Sequence, residues 1–149
     1  MWRSVLLLLH LLAAMAWVGG MFFAHFCLRT AAVHTLAPPQ RLPLMAAALT
    51  RFLRAMAVAV PMVLLTGLAM LAQTGMAHAP WGWHAMLTIG LVMAVVYAFI
   101  HGRLLPRLRQ HCAASAWPLA GQTLDRIRRL VMLNLALGVL TVAAAVLGR

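Results

Sequence analysis

The chain has 149 residues, 65% of them hydrophobic and 9% charged, and a formal net charge of +11 from twelve basic residues that are all arginine. Soluble domains carry about 25% charged residues, so an ordinary soluble domain is excluded, and the length allows one domain. Asp125 is the only acid, which excludes chemistry built on paired carboxylates; no Cys-x-x-Cys pair, phosphate-binding glycine loop, dinucleotide fingerprint or serine triad occurs.

Arg3 is followed by 25 residues without a formal charge, up to Arg29. A membrane span needs about 20 apolar residues, and this run predicts a helix over 4–28. The opening "MWR", an apolar run and "AMA" at 14–16 also resemble a secretory signal with its cleavage site. The apolar run continues through Phe26, so the segment is expected to be retained as a span. At about 100° per residue, His10, Ala14, Trp17, Met21 and His25 fall within ~80° of one another, a single stripe. Ala16, Gly20 and Ala24 recur every four residues, which lets a neighbouring backbone approach closely. A flat porphyrin would use the same groove.

The stretch "TLAPPQRLP" (35–43) is expected to break the chain. "LMAAALTRFLRAM" then reads as an interfacial helical turn leading into a second span at 52–74, with Arg51 and Arg54 reaching for headgroups. Pro61 is a kink candidate. Met62, Thr66, Met70 and Gln73 share one face of the outer half of this span. Between Arg54 and Arg103 lie 48 residues without a formal charge, enough for two spans separated by "QTGMAHAPWGW" (73–83). The third span is placed at 82–104, with His84 at its outer start and Tyr97 and His101 near its inner end. "AASAWPLAG" (113–121) is the expected flexible loop. Leu130 to Gly148 is a final run of 19 residues without a formal charge, and a fourth span is placed at 127–147. Asp125 suits the start of that helix, with Arg128 and Arg129 three and four residues on.

Ten arginines fall in the first and third connections, two at the termini and none in the second connection. By the positive-inside pattern, connections one and three are cytoplasmic, and both termini are periplasmic. The fold class is therefore all-α, an integral membrane four-helix bundle. The arginines meet anionic headgroups, and nucleic acid is not expected as a partner. Cys27 and Cys112 fall on the cytoplasmic side, where free thiols are expected.

His10 lies ~9 Å along the first helix from its outer end. An unpaired polar group in an apolar medium costs ~2–7 kcal/mol, so His10 needs a partner, and ionisable groups inside membranes are functional candidates. Spans one and three run the same way, which brings His84 near the depth of His10, with His78 in the connection above and Met70 on span two. An inner layer, ~22 Å further along helix one, holds His25 and Cys27 at the depth of Tyr97 and His101. Plainer roles compete: His84 anchored beside Trp81 and Trp83 in an aromatic belt, methionines as packing, His10 bonded to a neighbouring helix. Imidazole and thioether ligands suit copper, particularly Cu(I). Paired imidazoles also ligate haem iron, with Trp17 and the small residues as walls. His84 and His101 point ~100° apart on one helix, so one cofactor in the outer layer is expected rather than one in each.

"LHLLAAMAWVGG" (9–20), with a histidine seven residues before a tryptophan, resembles the first helix of the CopD copper-resistance membrane proteins. It is also similar to the HemJ-type protoporphyrinogen oxidases. "RFLRAMAVAVPMVLLTGLAML" resembles the CopD second helix, and "WGWHAMLTIGLVMAVVYAFIHGRLLPRL" the following helix of both groups. The resemblance runs over essentially the whole chain. It implies a helical bundle in a bacterial inner membrane, and for CopD copper handling with passage toward the cytoplasm; on the two polar layers read above, His10 with His84 and Met70 would take the metal outside, and His25, Cys27 and His101 would release it inside. For HemJ it implies haem b on the first-helix histidine, here His10, and a lysine early in the third helix, a ligand that His84 or a methionine would have to replace. The chain has no lysine; Met86 and Leu87 stand near that place. Large CopD proteins have additional spans, so a periplasmic copper-binding protein, another membrane subunit or a second copy is the expected partner. The readings open at this point are copper handling, a b-type haem redox protein, and an accessory subunit without cofactor.

Overall fold

Each of the four apolar runs folds as a helix, and each helix continues past the apolar stretch. The computed structural model describes residues 1–75 and 77–148; Arg149, one of the two terminal arginines, lies outside them. The helices are α1 (Trp2–Thr35), α2 (Pro38–Thr74), α3 (Trp81–Ala113) and α4 (Trp117–Leu147), 34, 37, 33 and 31 residues long and apolar enough to cross a membrane. At 1.5 Å per residue they measure roughly 47–56 Å, against a hydrocarbon core of about 30 Å. The surplus is a helical extension at the arginine-rich end. A π-helical turn marks the passage into it in α1 at Phe23–Leu28 and in α3 at Ile100–Leu104.

This extension replaces three expected irregular segments. The break at 35–43 shrinks to Leu36 and Ala37, because prolines fit the first turn of α2, where no intrahelical N–H is needed. The segment read as an interfacial helical turn leading into the second span is the N-terminal half of α2 itself, which runs unbroken through Pro43 and Pro61. The loop expected at 113–121 is only Ala114–Ala116, turned by Ser115 at φ 52°. Asp125 therefore lies two turns inside α4 rather than at its start. It pairs with Arg128 at 3.5 Å.

At the other end, Gly75 closes α2 at φ 84°, a conformation that favours glycine. The Gly82 N–H donates to the Gly148 carbonyl at 3.2 Å, and the Arg3 guanidinium lies 5.8 Å from the Trp83 ring centre. The start of α1, the start of α3 and the end of α4 thus meet at one end of an up-down bundle. Helix α1 packs along α2 and α3 along α4; α2 also meets α3 and α4, and α1 meets α4. Helices α1 and α3 share no packed face among the described residues.

The interior has two characters. In the extension it is a leucine core: Leu42, Leu49, Leu53, Leu104, Leu105, Leu108 and Ile127 are buried, and Leu108 and Ala120 are 0% exposed. In the span, Trp17, Met21 and Met93 are buried and so are glycines Gly82, Gly90 and Gly138, as expected where close backbone packing must substitute for hydrophobic drive. A Cβ on Gly138 would stand 3.0 Å from Val18 Cγ2. Of the small-residue stripe on α1, Gly20 presses on the Phe52 ring of α2, while Ala16 is exposed.

A Cβ on Gly82 would strike backbone, the Ala144 carbonyl and Gly148, which cannot turn aside as a side chain can. Gly82→Ala is expected to destabilise the bundle by about 1–3 kcal/mol, the usual cost of overpacking. Gly19→Ala, at a helix position with nothing within 4 Å, is expected to be neutral or to stabilise by up to ~1 kcal/mol. Thermal unfolding of the two variants in detergent, followed by circular dichroism, checks the contrast.

Candidate functional site

The stripe on α1 faces inward. Trp17 and Met21 are 3% and 2% exposed, and His10, Ala14 and His25 are half-buried. His10 is turned onto α2: its Nδ1 lies 3.0 Å from the Val63 carbonyl oxygen and 3.0 Å from Thr66 Oγ1. The Thr66 hydroxyl donates its proton to the Met62 carbonyl at 2.6 Å, so toward His10 it offers lone pairs. A carbonyl only accepts. With two acceptors on Nδ1, that nitrogen carries the proton and the Nε2 lone pair is left for another purpose. Gly67 makes the approach possible, since a Cβ there would stand 3.2 Å from His10 Cε1. These bonds meet the desolvation cost of a buried imidazole.

Met70 is half-buried and occupies the next turn of the α2 face that carries Val63, Thr66 and Gly67. Trp17 belongs to the central core, about two turns along α1 from His10. His84 is half-buried in the first turn of α3, where its carbonyl accepts the Thr88 hydroxyl at 2.9 Å. His78 is exposed in the connection. His10 is thus joined to the consecutive helix α2. Short connections set consecutive helices side by side, and the two helices that run the same way fall on a diagonal.

The inner layer is dispersed in the same manner. His25 lies against Phe26 at 4.8 Å and lines a recess with Arg29, Arg41 and Arg128, whose charges oppose a metal cation there. Cys27 is exposed. His101 stacks on Tyr97 at 5.6 Å, and the Tyr97 hydroxyl donates to the Leu53 carbonyl at 2.9 Å. Among the described residues, no three of His, Cys, Asp and Glu come together as a metal-holding group.

Sequence reasoning passed over Asn134. It is 2% exposed, and its Nδ2 donates to the Met93 carbonyl at 3.1 Å, tying α4 to α3. A lone amide inside the fourth apolar run was the available signal, because polar groups inside spans bond across helices. The protonation of His10 is open to direct measurement. Histidine-labelled protein examined by ¹⁵N NMR is expected to show His10 as the Nδ1–H tautomer; a proton on Nε2 would contradict the hydrogen-bond assignment.

The family model of CopD, copper resistance protein D, matches residues 46–147. The match begins inside α2, so α1 and His10 lie before it, whereas the resemblance read from motifs ran over the whole chain. No curated protein and no solved structure matches the chain. Four helices able to span a membrane and a match over most of the chain lead to one statement: the chain belongs to the CopD family and is a multi-pass membrane protein of the copper-resistance type.

Proposed function

We propose that the protein binds copper in the outer half of the bundle and assists its passage across the inner membrane toward the cytoplasm. The observation that carries this reading is the tether on His10 Nδ1. Metal-bound histidines usually give their second nitrogen to a carbonyl or carboxylate, which fixes the tautomer and turns the ligating nitrogen outward. His10 Nε2 is the first ligand in this proposal. The Met70 thioether, one turn along the same interface, is the second, and a soft sulfur donor favours Cu(I). His84, at the outer end of α3, receives the ion before them.

The arginine-rich end is cytoplasmic in this reading, by the positive-inside pattern. Cys27, exposed there, and His101 are the release groups; His25, faced by guanidinium groups, is not assigned a role with the cation. A periplasmic copper-binding protein is the proposed donor, and a second copy or another membrane subunit completes the path.

Copper affinity measured by competition with a chromogenic Cu(I) chelator tests the proposal. His10→Ala is expected to weaken binding by at least tenfold. Thr66→Val, which removes one acceptor from Nδ1, is expected to weaken it by about tenfold, at the lower end of the 10–100-fold range for groups that orient a metal ligand. Unchanged affinity in His10→Ala would remove the assignment. A Soret band in the purified protein that is lost in His10→Ala would assign haem b instead of copper.

A further inference from the structure

The described arginines differ in exposure, and Arg128 keeps 35% of its side chain open to solvent. Arg3, Arg51, Arg54, Arg103, Arg107, Arg109, Arg126 and Arg129 are exposed, whereas Arg29, Arg41 and Arg128 are half-buried. These three come from α1, α2 and α4, and all three line one recess of about 130 Å³ between those helices. The recess is room for several water-sized groups. His25 forms part of its wall and interacts electrostatically with both Arg29 and Arg128.

Three like charges drawn into one recess repel one another, and the chain has only one carboxylate to set against them. That group, Asp125, stands in the same wall and pairs with Arg128 at 3.5 Å. Among the described residues Arg29 and Arg41 form no ion pair, although Asp125 stands in the same wall. The remaining wall is apolar, with Leu42, Met45 and Val131 among its residues. The recess lies where the charge-free run of α1 ends at Arg29 and the arginine-rich extension begins.

We infer that this recess binds a phosphate-class anion through Arg29, Arg41 and Arg128. The guanidinium fork matches tetrahedral phosphate oxygens and holds them through charge-assisted bonds. Basic pockets between membrane helices at the cytoplasmic face are suited to lipid headgroups, and the apolar wall accommodates the glycerol and upper acyl chain of a phospholipid. A free phosphate would use the same three side chains. The inference does not depend on the copper reading, which assigns no role to these residues.

The test uses the full chain in two arms. In one, native mass spectrometry counts phosphatidylglycerol retained from nanodiscs of phosphatidylglycerol and phosphatidylcholine. In the other, calorimetry measures binding of inorganic phosphate to the protein in neutral detergent. The expected result is retention of phosphatidylglycerol that falls roughly tenfold in the double variant Arg29→Gln, Arg41→Gln, the scale of losing charge-assisted bonds. Asp125→Asn is expected to strengthen retention, a change of opposite sign that misfolding cannot produce. Arg126→Gln, exposed on the same helix, is expected to leave it unchanged. Phosphate binding with the same dependence on these variants, and no lipid retention, would assign the site to a soluble phosphate. Absence of both ligands, or equal losses in Arg126→Gln and the double variant, would overturn the inference.

Discussion

An apolar side chain inside a bilayer gains nothing by leaving lipid for protein, and this condition shapes the whole molecule. Along most of the span, the outward residues are large and apolar: Leu7, Leu8, Leu11 and Leu12 on α1 and Val139, Leu140 and Val142 on α4 are all exposed. What joins the helices there is close approach and hydrogen bonding. Gly82 and Gly138 let backbones near their neighbours, while His10 bonds α1 to α2 and Asn134 bonds α4 to α3. Beyond the membrane the hydrophobic effect returns. The same four helices then close over Leu42, Leu49, Leu104, Leu108 and Ile127 as a water-soluble domain would.

The two regimes divide the labour of the fold. The leucine core of the extension holds the helices by area removed from water. It relieves the span of the need for tight packing throughout, and the span can carry polar groups that a stability argument alone would not place there. His10 is the clearest of these. Its Nδ1 is committed to α2, so the ring is held in one orientation and its other nitrogen is set in advance. A ligand whose orientation is fixed before the metal arrives loses less freedom on binding.

Charge follows the same division. With a single acidic side chain in the chain, only Arg128 finds an ion-pair partner among the described residues, and most of the described arginines are exposed. Three half-buried ones are gathered by α1, α2 and α4 around one recess. A recess with that composition repels a metal cation and attracts an anion. The metal chemistry proposed for the outer half and the anion chemistry inferred for the inner end are therefore electrostatically opposite uses of one bundle.

Hydropathy and charge spacing determined the four spans, their alternation and the gathering of arginine at one end, because the bilayer imposes a one-dimensional rule on the chain. The inward stripe through His10, Trp17 and Met21 was also legible, since helical periodicity alone places those residues on one face. Helix ends were not, because Pro38, Pro39 and Pro118 read as breakers while serving as first-turn residues. Which helices touch was decided by tertiary structure. Depth along the membrane can be counted from sequence, but lateral neighbours depend on how short connections set consecutive helices side by side. That is why His10 faces Val63 and Thr66 of α2, and why Arg29, Arg41 and Arg128, distant in sequence, share one recess.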